Sequence, residues 1–230
     1  MPLHNNFGNK GALAIFVKTP SLSPIKTRLI KSIREGCLKK GCNQPKNLKQ
    51  KVENFYLQLV KSTQQTVHVS QKFIPGLTPY WAVAEKNCLY NKCWKKFKTI
   101  WQGNGTLGER LYNIYNKLIK KYSYVILIGA DCPELSTAEF VCASGILQLQ
   151  SDLKKYVIGK TYDGGFYLFG ANFRISKNIW TSIPYSHPQT AKLLTKKLDN
   201  LQAQSFQLRQ LRDIDTIEDA LYYLCQTPYY

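Results

Sequence analysis

Carboxylates are scarce in this chain, so their positions carry information. Of 230 residues, 32 are Lys or Arg and 14 are Asp or Glu, which leaves a net charge of +18. One acid, Asp131, closes the run Tyr124-Val-Ile-Leu-Ile-Gly-Ala-Asp131, followed by Cys-Pro-Glu-Leu. An apolar strand that stops at a glycine and delivers a carboxylate to a sheet's carboxyl edge can hold Mg²⁺ or Mn²⁺, ions that bridge to phosphates through few protein ligands. A local reading stays open beside it: Asp131 capping its own loop ahead of Pro133.

Three further segments carry chemistry. In Val17-Lys18-Thr-Pro-Ser-Leu-Ser-Pro-Ile-Lys26-Thr27-Arg28-Leu29, an apolar stretch runs into a loop with three cations and then a helix start. Loop amides, a helix N-terminus and Lys or Arg side chains together suit a diphosphate; an ordinary basic connection between strand and helix has the same look. Gly103, Gly105 and Gly108 spell G-x-G-x-x-G before a helix that starts near Glu109 and Arg110. That pattern also occurs in dinucleotide folds, but Lys95-Lys96-Phe-Lys98 before it is too charged for a central parallel strand. A loop over a nucleotide fits better. Finally, Asp163-Gly-Gly-Phe166 places two small residues after an acid, and Asp213, Asp215, Glu218 and Asp219 crowd four carboxylates together. Some of these must cap a helix N-terminus, and Asp215, at a strand's end, can complete a metal site with Asp131.

These groups need a scaffold, and apolar periodicity supplies one. Strands are predicted over 13–17, 80–84, 99–102, 124–129, 156–159, 166–169 and 205–211. Helices are predicted over 26–35, 48–67, 107–121, about 137–149, 189–201 and from Thr216 onward. Ser136 with Glu139, and Thr216 with Asp219, read as capping boxes. Residues 36–47 read as a polar connection or insertion. Strands alternating with helices predict a three-layer α/β/α sandwich on a mostly parallel mixed sheet, as one domain over 1–230.

No apolar run approaches the ~20 residues that span a bilayer, and the amino-terminal residues lack a signal peptide's basic start. The expectation is a soluble, cytoplasmic protein. The seven cysteines are an odd number with no secretion signal, which argues against a disulfide framework. Cys37/Cys42 and Cys88/Cys93 are spaced too widely for the common zinc pattern, so reduced thiols are the better reading. Residues 1–108 hold 18 of the cations and only three acids. Such a half suggests an anionic partner or a solvated lysine surface. Against nucleic acid, no recognised binding module appears, and aromatics do not interleave with the basic runs.

Taken in order, five motifs resemble the DUF2064 group of glycosyltransferase-A-like proteins, the nucleotide-diphospho-sugar transferase fold. They are Lys18-Thr-Pro with Lys26-Thr-Arg-Leu29, Gly105-Thr-Leu-Gly-Glu-Arg110, Gly129-Ala-Asp-Cys-Pro-Glu-Leu135, Asp163-Gly-Gly-Phe-Tyr-Leu168 and Asp213-Ile-Asp-Thr-Ile-Glu-Asp219. The chain departs where Ser23 and Pro24 replace a usual glycine and basic residue. The resemblance implies a metal-dependent transferase using a nucleotide sugar and an acceptor, with Mg²⁺ or Mn²⁺. Lys18, Lys26, Thr27, Arg28, Gly105, Glu109 and Arg110 would bind the nucleotide. Asp131 and Asp215 would hold the metal, and Asp131 and Asp163 would be the catalytic carboxylates, Asp163 facing the acceptor or sugar. The nearest alternative is a nucleotidyltransferase joining an NTP to a phosphorylated acceptor, although Thr19–Ile25 lacks the glycines that chemistry prefers.

Overall fold

The computed structural model describes residues 10–149 and 153–226; the amino-terminal segment read above for a signal lies outside them. Seven strands form one sheet: β1 (Gly11–Val17), β2 (Leu77–Val83), β3 (Lys98–Trp101), β4 (Tyr124–Ile128), β5 (Lys155–Lys160), β6 (Phe166–Ala171) and β7 (Gln204–Gln207). Their order is β3-β2-β1-β4-β6-β5-β7. Only β6 runs against its neighbours. Six strands therefore end on one edge, and the connections that leave them converge there.

Seven helices cover the sheet: α1 (Thr27–Lys39), α2 (Leu48–Ser70), α3 (Leu107–Leu118), α4 (Thr137–Gln148), α5 (Lys177–Thr181), α6 (Thr190–Asp199) and α7 (Ile217–Gln226). The alternation along β1 shows how the layers form. Leu13, Ile15 and Val17 enter one core with Tyr56 and Val60 of α2 and Phe140 and Leu147 of α4. Ala12 and Ala14 enter the other, with Ile114 and Tyr115 of α3, Trp180 of α5 and Leu194 of α6. A strand covered on both faces must be apolar throughout, as β1 and β4 are. The three-layer α/β/α sandwich expected from the sequence is the architecture. Among the described residues, no helix is long and apolar enough to cross a membrane.

Differences from the sequence reading have local causes. Helix α1 continues past Gly36 and stops where Gly41 takes a left-handed φ of +61°. A helical glycine costs only about 1 kcal/mol, whereas a left-handed one ends the helix. The charged segment before β3 is tolerated because β3 is an edge strand, paired with β2 alone. The predicted strand 205–211 ends at Gln207, with Leu211 making a separate bridge to Thr161. Short α5 escaped the periodicity reading because five residues are too few to show a period.

Both capping boxes form. Glu139 accepts from the Ser136 amide and hydroxyl at 2.8 and 2.7 Å, and Arg209 Nε donates to its other oxygen at 2.5 Å. Burial alone would push this carboxyl up, but Arg209 and Ser136 hold it below the usual carboxylate range. Its contribution is therefore present above about pH 4.3 and is lost as pH falls through the lower folded value. Glu139→Gln is expected to cost about 1–3 kcal/mol at neutral pH in urea denaturation. The gap from wild type should close in acid; a gap that widened there would contradict the assignment.

Candidate functional site

The site grows from β1. The Lys18 amide donates to the Tyr56 hydroxyl of α2 at 3.0 Å, and the Thr19 amide to Glu85 Oε2 at 2.9 Å. These anchor the loop that leads to α1. At its end Lys26 takes a left-handed backbone, φ 46° and ψ 45°, and α1 begins with no side-chain cap. A left-handed backbone costs a residue other than glycine about 1–2 kcal/mol. Something must hold it, and the side chain does. Lys26 Nζ lies 3.0 Å from Asp131 Oδ2 and 3.1 Å from Asp215 Oδ1, with 5% of the side chain exposed.

The two acids reach that point from separate segments of the chain. Asp131 follows β4, and a β-carbon on Gly129 would stand 2.5 Å from Asp131 Oδ1, so only glycine leaves the carboxylate room. Asp215 follows the long connection after β7. The Ile214 amide donates to the Asp131 carbonyl at 3.0 Å, which laces the two segments together. Asp219 fixes Asp215 from behind, accepting from the amides of Asp215 and Thr216 at 3.2 and 2.9 Å. Arg28 closes the group: its guanidinium lies 2.6 Å from Asp215 Oδ2 and 3.6 Å from Asp163 Oδ2.

Electrostatics follow from this packing. Burial pulls the Lys26 ammonium's pKa down, but the Asp131 and Asp215 carboxylates outweigh it, and the net shift is upward. Burial pushes Asp131 up, and the Lys26 charge brings it below its ordinary value. Asp213 is the contrast. Burial, then the charges of Asp131, Asp163 and Asp215, push it up to about 7. Acidic oxygens of Asp163, Asp213 and Asp215 lie within 4.8 Å of one another, a crowding of like charge that a divalent cation would relieve. This donor set fits Mg²⁺ or Mn²⁺. No group of cysteines of comparable proximity occurs among the described residues.

Two cavities meet here. The first, about 400 Å³, is lined by Lys18, Lys26, Thr27, Arg28, Tyr56, Gln102 and Arg110 among others. The second, about 250 Å³, lies toward β5 and β6 and holds Asp163, Asp213, Tyr185 and His187. Phe16, Arg28, Leu107, Gly129, Asp131 and Asp215 line both, so the ionic cluster stands at their boundary.

Of the residues singled out from the sequence, the structure brings together Lys18, Lys26, Thr27, Arg28, Arg110, Asp131, Asp163 and Asp215. Gly105 and Glu109 stand apart, outside both linings. Glu109 is the partner of Thr106 in the α3 capping box and pairs with Lys177 at 3.1 Å. Gly105, at φ +100°, faces that same carboxylate, 2.2 Å from where its β-carbon would be. Gly164 likewise turns toward its own chain: at φ +88° its β-carbon would lie 1.9 Å from the Pro188 carbonyl. Gly164 docks the Asp163 loop on the segment before α6, its carbonyl also accepting from the Ala191 amide at 3.0 Å. Asp213, Tyr56 and Gln102 carried no assigned role in the sequence. A buried glutamine after a strand and a tyrosine on a distant helix have no spacing signal that ties them to a loop.

The family model of DUF2064, described as "Uncharacterized protein conserved in bacteria", spans residues 77–187. Three of the five motifs fall inside that span; the Lys18–Leu29 and Asp213–Asp219 motifs fall outside it. A protein of Desulfovibrio desulfuricans G20, provisionally assigned as a nucleotide-diphospho-sugar transferase, superposes with a TM-score of 0.75 at 21% identity, covering 96% of this chain and 89% of that one. A CMP:2-keto-3-deoxy-manno-octonic acid synthetase solved with CTP gives 0.52 at 12% identity, over 94% and 99% of the two chains. Rv0371c of Mycobacterium tuberculosis H37Rv, solved with manganese, gives 0.51 at 9% identity, over 95% and 100%. At these identities the likeness establishes the fold. No curated protein matches by sequence.

The Lys26 ammonium pairs with Asp215, one of the three carboxylates that would hold a divalent cation. Lys26→Met should therefore lower the melting temperature, because two acids lose their partner, and Mn²⁺ should recover part of the loss. Calorimetric Mn²⁺ affinity should rise about tenfold with the competing charge removed. A variant of unchanged stability that ignores Mn²⁺ would contradict this account.

Proposed function

We propose that the chain is a metal-dependent transferase of a nucleotide-activated sugar. The observation that carries this reading is the first cavity's wall. Helix α1 opens there with no side-chain cap, and Lys18, Lys26 and Arg28 line the same wall. Free amides, a helix dipole and cations on one wall suit a diphosphate. The nucleotide-diphospho-sugar transferase fold shared with the Desulfovibrio protein supports the same class of donor.

Lys26, Arg28 and the α1 amides would bind the diphosphate and stabilise charge as it develops on the leaving group. Lys18 is tied to the Pro24 carbonyl at 3.0 Å, so it shapes the loop as well as lining it. Arg110, whose Nε donates to the Gly105 carbonyl at 3.0 Å, closes the far side. Asp215 would hold Mg²⁺ or Mn²⁺ together with Asp163 and Asp213, and Asp131 would join them as Lys26 turns to phosphate. The ion would supply positive charge beside the leaving diphosphate. Asp163 would take the proton of an acceptor hydroxyl. Its Oδ1 is fixed by the Thr161 hydroxyl at 2.6 Å and the Gly165 amide at 3.0 Å, which leaves Oδ2 toward Arg28.

Titration with UDP-, GDP- and CDP-sugars in the presence of Mn²⁺ tests this. Binding of at least one, with nucleoside diphosphate released on turnover, is the expected result. Absence of binding by folded protein would overturn the reading, and release of pyrophosphate from an NTP would replace it with nucleotidyl transfer. Asp163→Asn is expected to cut kcat by about 10²–10⁴ while donor affinity measured without a divalent cation stays near wild type. An equal loss of donor binding would remove Asp163 from the acceptor side.

A further inference from the structure

We propose that the second cavity is an acceptor subsite built for an uncharged, hydroxyl-bearing ring, and that its wall rejects a phosphorylated acceptor. The assignment as acceptor subsite rests on the transferase reading above; the charge selection rests on the cavity itself.

Position comes first. The second cavity shares the Asp131, Asp215 and Arg28 wall with the first. A group leaving a donor in the first cavity emerges at the mouth of the second.

Charge comes next. Asp131, Asp163, Asp213 and Asp215 line the second cavity, and Arg28 is its one cationic side chain apart from a histidine. No lysine lines it, in a protein with 32 Lys and Arg. Arg28 is already engaged, 2.6 Å from Asp215 and 3.6 Å from Asp163. Four carboxylates thus face one guanidinium. A divalent cation would bring this wall to about neutrality and not beyond it, so a phosphate dianion would enter without the surplus of cations that phosphate sites use. The first cavity, with Lys18, Lys26, Arg28 and Arg110, has that surplus.

The remaining surface suits a ring with hydroxyls. Phe16, Leu107, Leu111, Phe166 and Tyr185 give an apolar side, on which the carbon face of a sugar-like ring can lie. The carboxylate side offers acceptors for hydroxyl protons, and Asp163 stands there as the proposed proton acceptor. Tyr185 is itself fixed, its hydroxyl donating to the Trp180 carbonyl at 3.0 Å. It therefore presents a ring face, with its polar end occupied.

Two measurements test the proposal with the full chain. Inorganic phosphate is titrated while the Tyr185 and His187 resonances are followed by NMR. No saturable shift at these residues is expected through the millimolar range; a saturable shift in that range would overturn the charge selection. Methyl glycosides of glucose, galactose and mannose are then compared with the matching 6-phosphates, in the presence of Mn²⁺ and UDP. At least one neutral glycoside should bind, its 6-phosphate should bind at least about tenfold more weakly, and Tyr185→Ala should abolish the neutral ligand's saturation-transfer signal. A 6-phosphate that binds as well as its neutral twin, through Tyr185, would overturn the proposal, as would failure of all three glycosides. UDP binding is read separately from Gln102 and Tyr56 in the first cavity. Its loss with the Tyr185 cavity behaving as stated would count against the donor reading and not against the charge selection.

Discussion

One buried ammonium organises this site. Lys26 stands between Asp131 and Asp215, which arrive from β4 and from the connection after β7. It does so from the cap of α1, in a left-handed backbone with no cap bond of its own. Two conformational costs are thus concentrated on one residue: a strained φ and an uncapped helix. Both are offset by ion pairs that are worth more in a partly desolvated place than on an open surface. Removing the pairs would loosen α1 and the first loop from the segment 213–215, with the Ile217 amide's bond to the Ser32 hydroxyl at 2.9 Å still joining α1 to the start of α7.

That arrangement gives the site two properties. The helix end nearest the first cavity has no side-chain cap, because its cap residue is a lysine, whose ammonium has no acceptor to offer the amides. Asp131 is held below its ordinary value by the Lys26 charge; Asp213, which lacks such a partner, is pushed up to about 7. A protein with a large positive charge has placed its acids where the sheet's edge meets two cavities. The surplus of cations falls on one cavity, Asp163 and Asp213 fall on the other, and Asp131 and Asp215 line both. The two halves of a transfer reaction need different electrostatics, and here they have them side by side.

The sandwich was legible because its signals are periodic. Strands β1 and β4 are apolar without interruption, α2 repeats at helical spacing, and both capping boxes announce their helices. Asp131 was legible because a strand end places a carboxylate at the edge regardless of tertiary detail. Other parts of the site depend on contacts far apart in sequence. Lys26 meets Asp215 across 189 residues, and no local pattern states that the ammonium lies between the two acids. Glu109 and Gly105 looked like ligand residues because a capping box and a glycine turn share their residue types with phosphate loops. Asp213 looked like one acid in a crowd until the cavity and its three charged neighbours set it apart.

The central claim is that attraction outweighs desolvation at Lys26, leaving it charged and paired. Direct titration of the Lys26 side-chain nitrogen by ¹⁵N NMR decides it. A pKa above the ordinary lysine value, together with upfield or downfield movement of Asp131 and Asp215 carboxyl signals in step with it, is the predicted result. A pKa below the ordinary value would mean that burial wins, that the ammonium is not the bridge between the two acids, and that the site is organised by something else.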